Sequence, residues 1–230
     1  MSTFLQEHDF PSGSLPELPK IPVLRSAYCS QELTDKVLQY LWDNAPDLVR
    51  EQAKREHLNY DQEYGMQLGH IVTFIQKVAS KDVEIPKTRL GMLDLLFEMS
   101  RRFRKLRNLP DAPVRGIPLA EGPDAPMPAL PTPPISFETQ KFLSQETADN
   151  IIKQVYSEHP AWFYELTENM RRGGMYIWPV GQDIREALRQ FVLPNGTHLG
   201  ASKTGTLVRD IDALYGEIIQ RLLKVCKIQR

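Results

Sequence analysis

Five of the seven residues from Arg101 to Arg107 are basic: Arg101, Arg102, Arg104, Lys105 and Arg107, with Phe103 and Leu106 set between them. Guanidinium and ammonium groups at that density can neutralise phosphates, so the run is the first candidate for an anion or nucleic-acid site. Arg171-Arg172-Gly173-Gly174 is the second, because a turn of exposed amides beside two guanidinium groups can hold a phosphate or carboxylate. Both have a plainer account. Basic residues in the last turn of a helix are favoured by the helix dipole alone. From residue 30 to 107 there are 13 basic and 12 acidic side chains, which leaves no net field to steer a polyanion.

Metal and nucleophile chemistry has less to work with. The five histidines (His8, His57, His70, His159 and His198) never fall three or four residues apart, so no helix presents paired imidazoles. Cys29 and Cys226 lack metal-ligand spacing and form no disulfide framework. No nucleophile elbow, phosphate-cradling lysine loop or dinucleotide glycine fingerprint occurs. No metal, cofactor or catalytic residue is therefore expected.

Aromatic residues gather instead at Trp162, Phe163, Tyr164, Tyr176 and Trp178. Consecutive residues on a helix point about 100° apart, so Trp162, Phe163 and Tyr164 cannot all face one core. Trp162, Tyr164 and Trp178 are the expected interface rings, together with Phe4, Leu5 and Phe10 near the N-terminus.

The elements that would carry these residues follow a repeated plan. Ser30 to Glu51 and Ser144 to Glu165 align without a gap, and agree at Ser30/Ser144, Gln31/Gln145, Glu32/Glu146, Asp35/Asp149, Pro46/Pro160 and Glu51/Glu165. Apolar positions agree too, among them Val37/Ile151, Leu38/Ile152, Leu41/Val155 and Trp42/Tyr156. In each copy a serine stands as N-cap, a helix follows, and a proline restarts a second helix at its first turn. Helical spacing then predicts a third helix from about Tyr60 and a fourth from Thr88 to Arg107. In the second half, Ile184 to Phe191 and Thr204 to Cys226 form the later stripes, and Met175 to Trp178 reads as a short extended piece. The expectation is an all-α chain of two related helical-bundle units, an internal duplication.

Prolines mark the boundaries. Of the 18 in the chain, nine fall in residues 108–137, a composition that favours polyproline II and a semi-rigid spacer. Residues 1–28 carry Pro11, Pro16, Pro19 and Pro22 among large apolar side chains, and read as an extended arm lying on a surface. The expected organisation is arm 1–28, unit one 29–107, proline-rich linker 108–137, and unit two 138–230.

With a net charge of −1, 41% apolar and 25% charged residues, and no apolar run of membrane-spanning length, a soluble cytoplasmic chain with reduced thiols is expected. Asn195-Gly196-Thr197 matches a glycosylation acceptor but has no secretory signal beside it. The leading functional expectation is a non-catalytic assembly or adaptor protein, self-associating or bound to a protein partner, docked through arm and linker. The alternative is a nucleic-acid-associated protein using residues 101–107, and the third is an enzyme whose site residues are dispersed along the chain.

Overall fold

The computed structural model describes residues 17–23, 28–55, 62–106, 109–141, 143–173, 177–193, 196, 198–199 and 207–229. The backbone is helical: α1 (Gln31–Asn44), α2 (Pro46–Arg55), α3 (Gln62–Lys77), α4 (Arg89–Leu106), α5 (Phe137–Gln140), α6 (Gln145–Glu158), α7 (Pro160–Arg171), α8 (Trp178–Gln190) and α9 (Leu207–Val225). Among the described residues the extended pairing is confined to one bridge, Val192 to His198. No helix among them is long and apolar enough to cross a membrane.

Two compact units result. Unit 1 comprises Met1–Pro113 with Arg172–Tyr176, and unit 2 comprises Val114–Arg171 with Ile177–Arg230. The expected linker is thus divided: its first residues belong to unit 1, and everything from Val114 on belongs to unit 2. Residues 109–136 contain neither helix nor strand, yet they do not stand off as a spacer. Arg115 N–H donates to the Arg171 carbonyl and Ile117 N–H to the Cys226 carbonyl, each at 2.8 Å. Leu119 and Ile135 are buried in the unit 2 core.

In unit 1, Ser30 caps α1 through a 3.2 Å bond from Leu33 N–H to its hydroxyl, in extended conformation (φ −67°, ψ 162°). Val37, Leu38, Leu41 and Trp42 then recur at helical spacing and enter a core with Ile71, Ile75, Leu96, Met99 and Phe103. Ala45 ends the helix at φ −136°, ψ 52°, and Pro46 opens α2, where its missing N–H loses no partner. Leu18, from the expected arm, is 4% exposed and belongs to the same core. Phe4, Leu5 and Phe10 lie outside the described residues.

Unit 2 repeats these local solutions. Ser144 caps α6 at φ −70°, ψ 158°, accepting from Thr147 N–H at 3.2 Å, and His159 ends the helix at φ −131°, ψ 52° before Pro160 opens α7. Ile151, Ile152, Val155, Phe163, Ile184, Leu188, Leu214, Ile218 and Leu222 form the core. Trp178 begins α8 with Pro179 in the first turn, so the short extended piece expected from Met175 to Trp178 does not reach Trp178. A proline after an aromatic residue fits a helix start as well as a strand end.

Candidate interaction site: a Gln–Asp–Arg clasp on a proline-bearing strap

In each unit an extended segment, here called a strap, is held by the first long helix. In unit 1 the strap is residues 17–23. The Gln31 carboxamide accepts from Val23 N–H at 2.8 Å through Oε1, and its Nε2 donates to the Ile21 carbonyl at 3.3 Å. Nε2 also donates to the two Asp35 oxygens at 3.0 and 2.9 Å. Arg102, on α4 and 1% exposed, closes the set by pairing with Asp35.

Unit 2 contains the same constellation. Gln145 Oε1 accepts from Ile135 N–H at 2.8 Å, and Nε2 donates to the Pro133 carbonyl at 3.1 Å and to Asp149 at 2.9 Å. Arg221, on α9 and 1% exposed, pairs with Asp149. In both units the arginine Nε is buried without a hydrogen-bond partner, so the terminal nitrogen carries the connection.

A primary carboxamide carries one acceptor and one donor end, which is what two residues of an extended chain present when they flank a third. The flanked residues are Pro22 and Pro134. Proline has no N–H, so nothing is lost by turning that residue away, and its ring holds the strap extended before contact. The aspartate accepts from Nε2, which settles that the nitrogen end meets the strap carbonyl and the oxygen end the strap N–H. The arginine in turn holds the aspartate with a charge-assisted bond. Each member orients the next.

Further bonds fix the straps. Arg101 Nη1 donates to the Pro22 carbonyl at 3.1 Å, while Tyr156 Oη donates to the Pro128 carbonyl at 2.8 Å. Glu217 accepts from Ser136 N–H at 2.8 Å and from the Thr139 hydroxyl at 3.0 Å. In unit 1 a cleft of about 440 Å³ opens beside the strap, with Leu18, Lys20, Asp35, Tyr40, Val83 and Arg102 among its walls. The clasp carboxylate is therefore reachable from solvent.

The basic candidates have carboxylates close by. Arg101 pairs with Glu98 at 2.6 Å and Asp111 at 3.3 Å, Arg102 with Asp35, Arg171 with Glu168, and Arg172 with Asp94. Arg172, a member of unit 1, also lies 5.4 Å from the Phe97 ring centre. Arg104 Nε donates to the Pro110 carbonyl at 2.6 Å and Lys105 is exposed, while Arg107 lies outside the described residues. Arg101 and Arg102, though adjacent, face different carboxylates. Among the expected interface rings, Tyr164 is only 6% exposed, and Trp162 is half-buried and stacked on His159 at 3.9 Å. The Trp178 side chain lies outside the described residues. Among those residues no group of three or more His, Cys, Asp or Glu is placed to hold a metal.

Sequence reasoning marked Gln31/Gln145 and Asp35/Asp149 as identities but gave them no task, and it passed over Arg221. A further signal was present: Glu98 and Arg102 are spaced as Glu217 and Arg221 are, each pair four apart on the last helix of its unit. No protein-family model, curated protein or solved structure matches the chain.

Proposed function

We propose that the protein is a non-catalytic assembly or adaptor component, built from two helical units related by internal duplication, whose proline-bearing straps dock it to neighbouring copies. The observation that carries this is the Gln–Asp–Arg clasp closing on an X-Pro-aliphatic segment in both units. The duplication reading rests on the matched caps, the matched proline restart and the matched clasp. The paired guanidinium groups weigh against phosphate as the ligand of Arg101, Arg102, Arg171 and Arg172, because each would have to leave a carboxylate first.

The test is native mass of the full chain over a concentration series, with and without residues 1–26, alongside melting temperature. Docking between copies predicts a particle of two or more chains that the deletion reduces. A single-chain mass at every concentration, with only the melting temperature lowered by the deletion, removes the self-assembly reading.

A further inference from the structure

We infer that each unit is a receptor for one linear peptide motif, Pro-x-Leu-Pro-x-x-Pro followed by a β-branched aliphatic residue. The inference deepens the docking reading and depends on it only for where the peptide comes from.

The two straps share one sequence pattern. Leu15-Pro16-Glu17-Leu18-Pro19-Lys20-Ile21-Pro22-Val23 and Met127-Pro128-Ala129-Leu130-Pro131-Thr132-Pro133-Pro134-Ile135 stand at a constant offset of 112, and agree at Pro16/Pro128, Leu18/Leu130, Pro19/Pro131 and Pro22/Pro134. Their exposure follows the same order. Glu17 and Ala129, Lys20 and Thr132, and Pro22 and Pro134 face solvent. Leu18 is buried in the unit 1 core, and Leu130 packs against the unit 2 core. The amide clasp falls on the same register in both, one residue to either side of the last proline.

Each motif position has a physical reason. The leucine supplies apolar area to the bundle. The prolines hold the peptide extended, which lowers the ordering cost of binding. The last proline has no N–H of its own to satisfy, and the two backbone groups that flank it are the ones the glutamine amide meets. The final β-branched residue favours extended backbone and carries the N–H that the glutamine accepts.

In the structure each clasp is filled by the chain's own strap; the occupant proposed for a clasp that has opened is a strap of a second copy of this chain. The chain itself carries the motif twice, in segments that fit both clasps by the same register. A receptor filled by a tethered strap binds a free peptide more weakly, in proportion to the fraction of time it stands open. Emptying a clasp should therefore expose its affinity.

The experiment uses the full chain with Leu18→Asp, which removes the apolar anchor of the first strap, and a fluorescent peptide of residues 15–23. Saturable binding is expected, stronger than to the unaltered chain, and displaced by an unlabelled peptide of residues 127–135. Adding Gln31→Ala should weaken it by roughly tenfold, since two hydrogen bonds are lost. A folded Leu18→Asp chain that binds neither peptide would overturn the inference. Should that variant not fold, the chain lacking residues 1–26 takes its place, since it keeps Gln31, Asp35 and Arg102 and lacks the first strap. Saturable binding of the peptide of residues 15–23 is again expected, and a folded truncated chain that does not bind it would equally overturn the inference. Native mass of the same samples separates the two readings: peptide binding by a single-chain particle keeps the receptor and removes self-assembly, while a multi-chain particle that binds no peptide does the opposite.

Discussion

Arg102 and Asp35, 67 residues apart in sequence, form the ion pair that Arg221 and Asp149 form 72 residues apart. In each pair the arginine is almost wholly buried and the aspartate is partly exposed, at 39% for Asp35 and 22% for Asp149. Removing the carboxylate strands a buried guanidinium. Asp35→Asn and Asp149→Asn are each expected to destabilise the fold by about 3 kcal/mol in urea titrations, Asp149→Asn by the larger amount. Replacing both partners, as in Asp149→Leu with Arg221→Met, should cost less than Asp149→Asn alone, because no buried charge is then left without its partner.

Leu18 tests whether the first strap is structural. A leucine outside every helix and between two prolines would, on a solvated tail, tolerate alanine within about 0.5 kcal/mol. Buried in the unit 1 core as it is, Leu18→Ala should cost about 2–3 kcal/mol in the same titration. Lys20→Ala, two residues on and exposed, serves as the control.

Gly116 lies ahead of the second strap, where Ile117 N–H ties the extended segment to the Cys226 carbonyl. Its φ is +62°, and a Cβ there would lie 2.1 Å from the Cys226 carbonyl oxygen, the acceptor of Ile117 N–H. Both the left-handed backbone and the collision with main chain oppose a side chain. Gly116→Ala should lower stability by about 2 kcal/mol or more. Gly122→Ala, where nothing lies within 4 Å, should leave the melting temperature nearly unchanged.

Unit 2 should weaken in alkali. Burial pushes the Cys226 thiol up to about 11 and the Tyr156 phenol up to about 12, from ordinary values of 9.0 and 10.0. Both shifts are upward, so the folded state disfavours the charged forms. The contribution to stability is whole below pH 9 and is lost as pH rises through 11 to 12. Circular dichroism at fixed urea should show the midpoint falling over that window. Cys226→Ala should remove the thiol's share of the fall, and alkylation of Cys226 at pH 8 should be slow until the chain is unfolded.

How much of this could be read in the sequence follows from the range of each interaction. The helices were legible because their signals are local: Ser30 and Ser144 cap, Pro46 and Pro160 restart, and Val37 to Trp42 repeat at helical spacing. The straps were read as composition, although the repeat of Pro16, Leu18, Pro19 and Pro22 at Pro128, Leu130, Pro131 and Pro134 stands in the sequence. Proline density predicts extended backbone, and it does so equally for a spacer in water and a segment pinned to a bundle. What separates the two is the Gln31 bond to Val23, the Arg102 bond to Asp35 and their counterparts, and these join residues that no periodicity relates. The pairing within the basic run was hidden for a related reason. Five charges in seven residues look like one patch, but a helix turns Arg101 and Arg102 towards different carboxylates.

The pinned orientation of the glutamine amide gives the clasp a sense of direction. With Nε2 anchored on the aspartate, the oxygen end always meets an N–H and the nitrogen end always meets a carbonyl. A peptide entering with its termini reversed would set carbonyl against oxygen and N–H against nitrogen, and both contacts would repel. The proposed docking between copies would therefore be one-way. A strap passed between copies would be given by one surface and received by a different one. Reciprocal exchange would close a two-fold pair, while a chain giving to one neighbour and receiving from another would build a ring when the rotation closes and a filament when it does not.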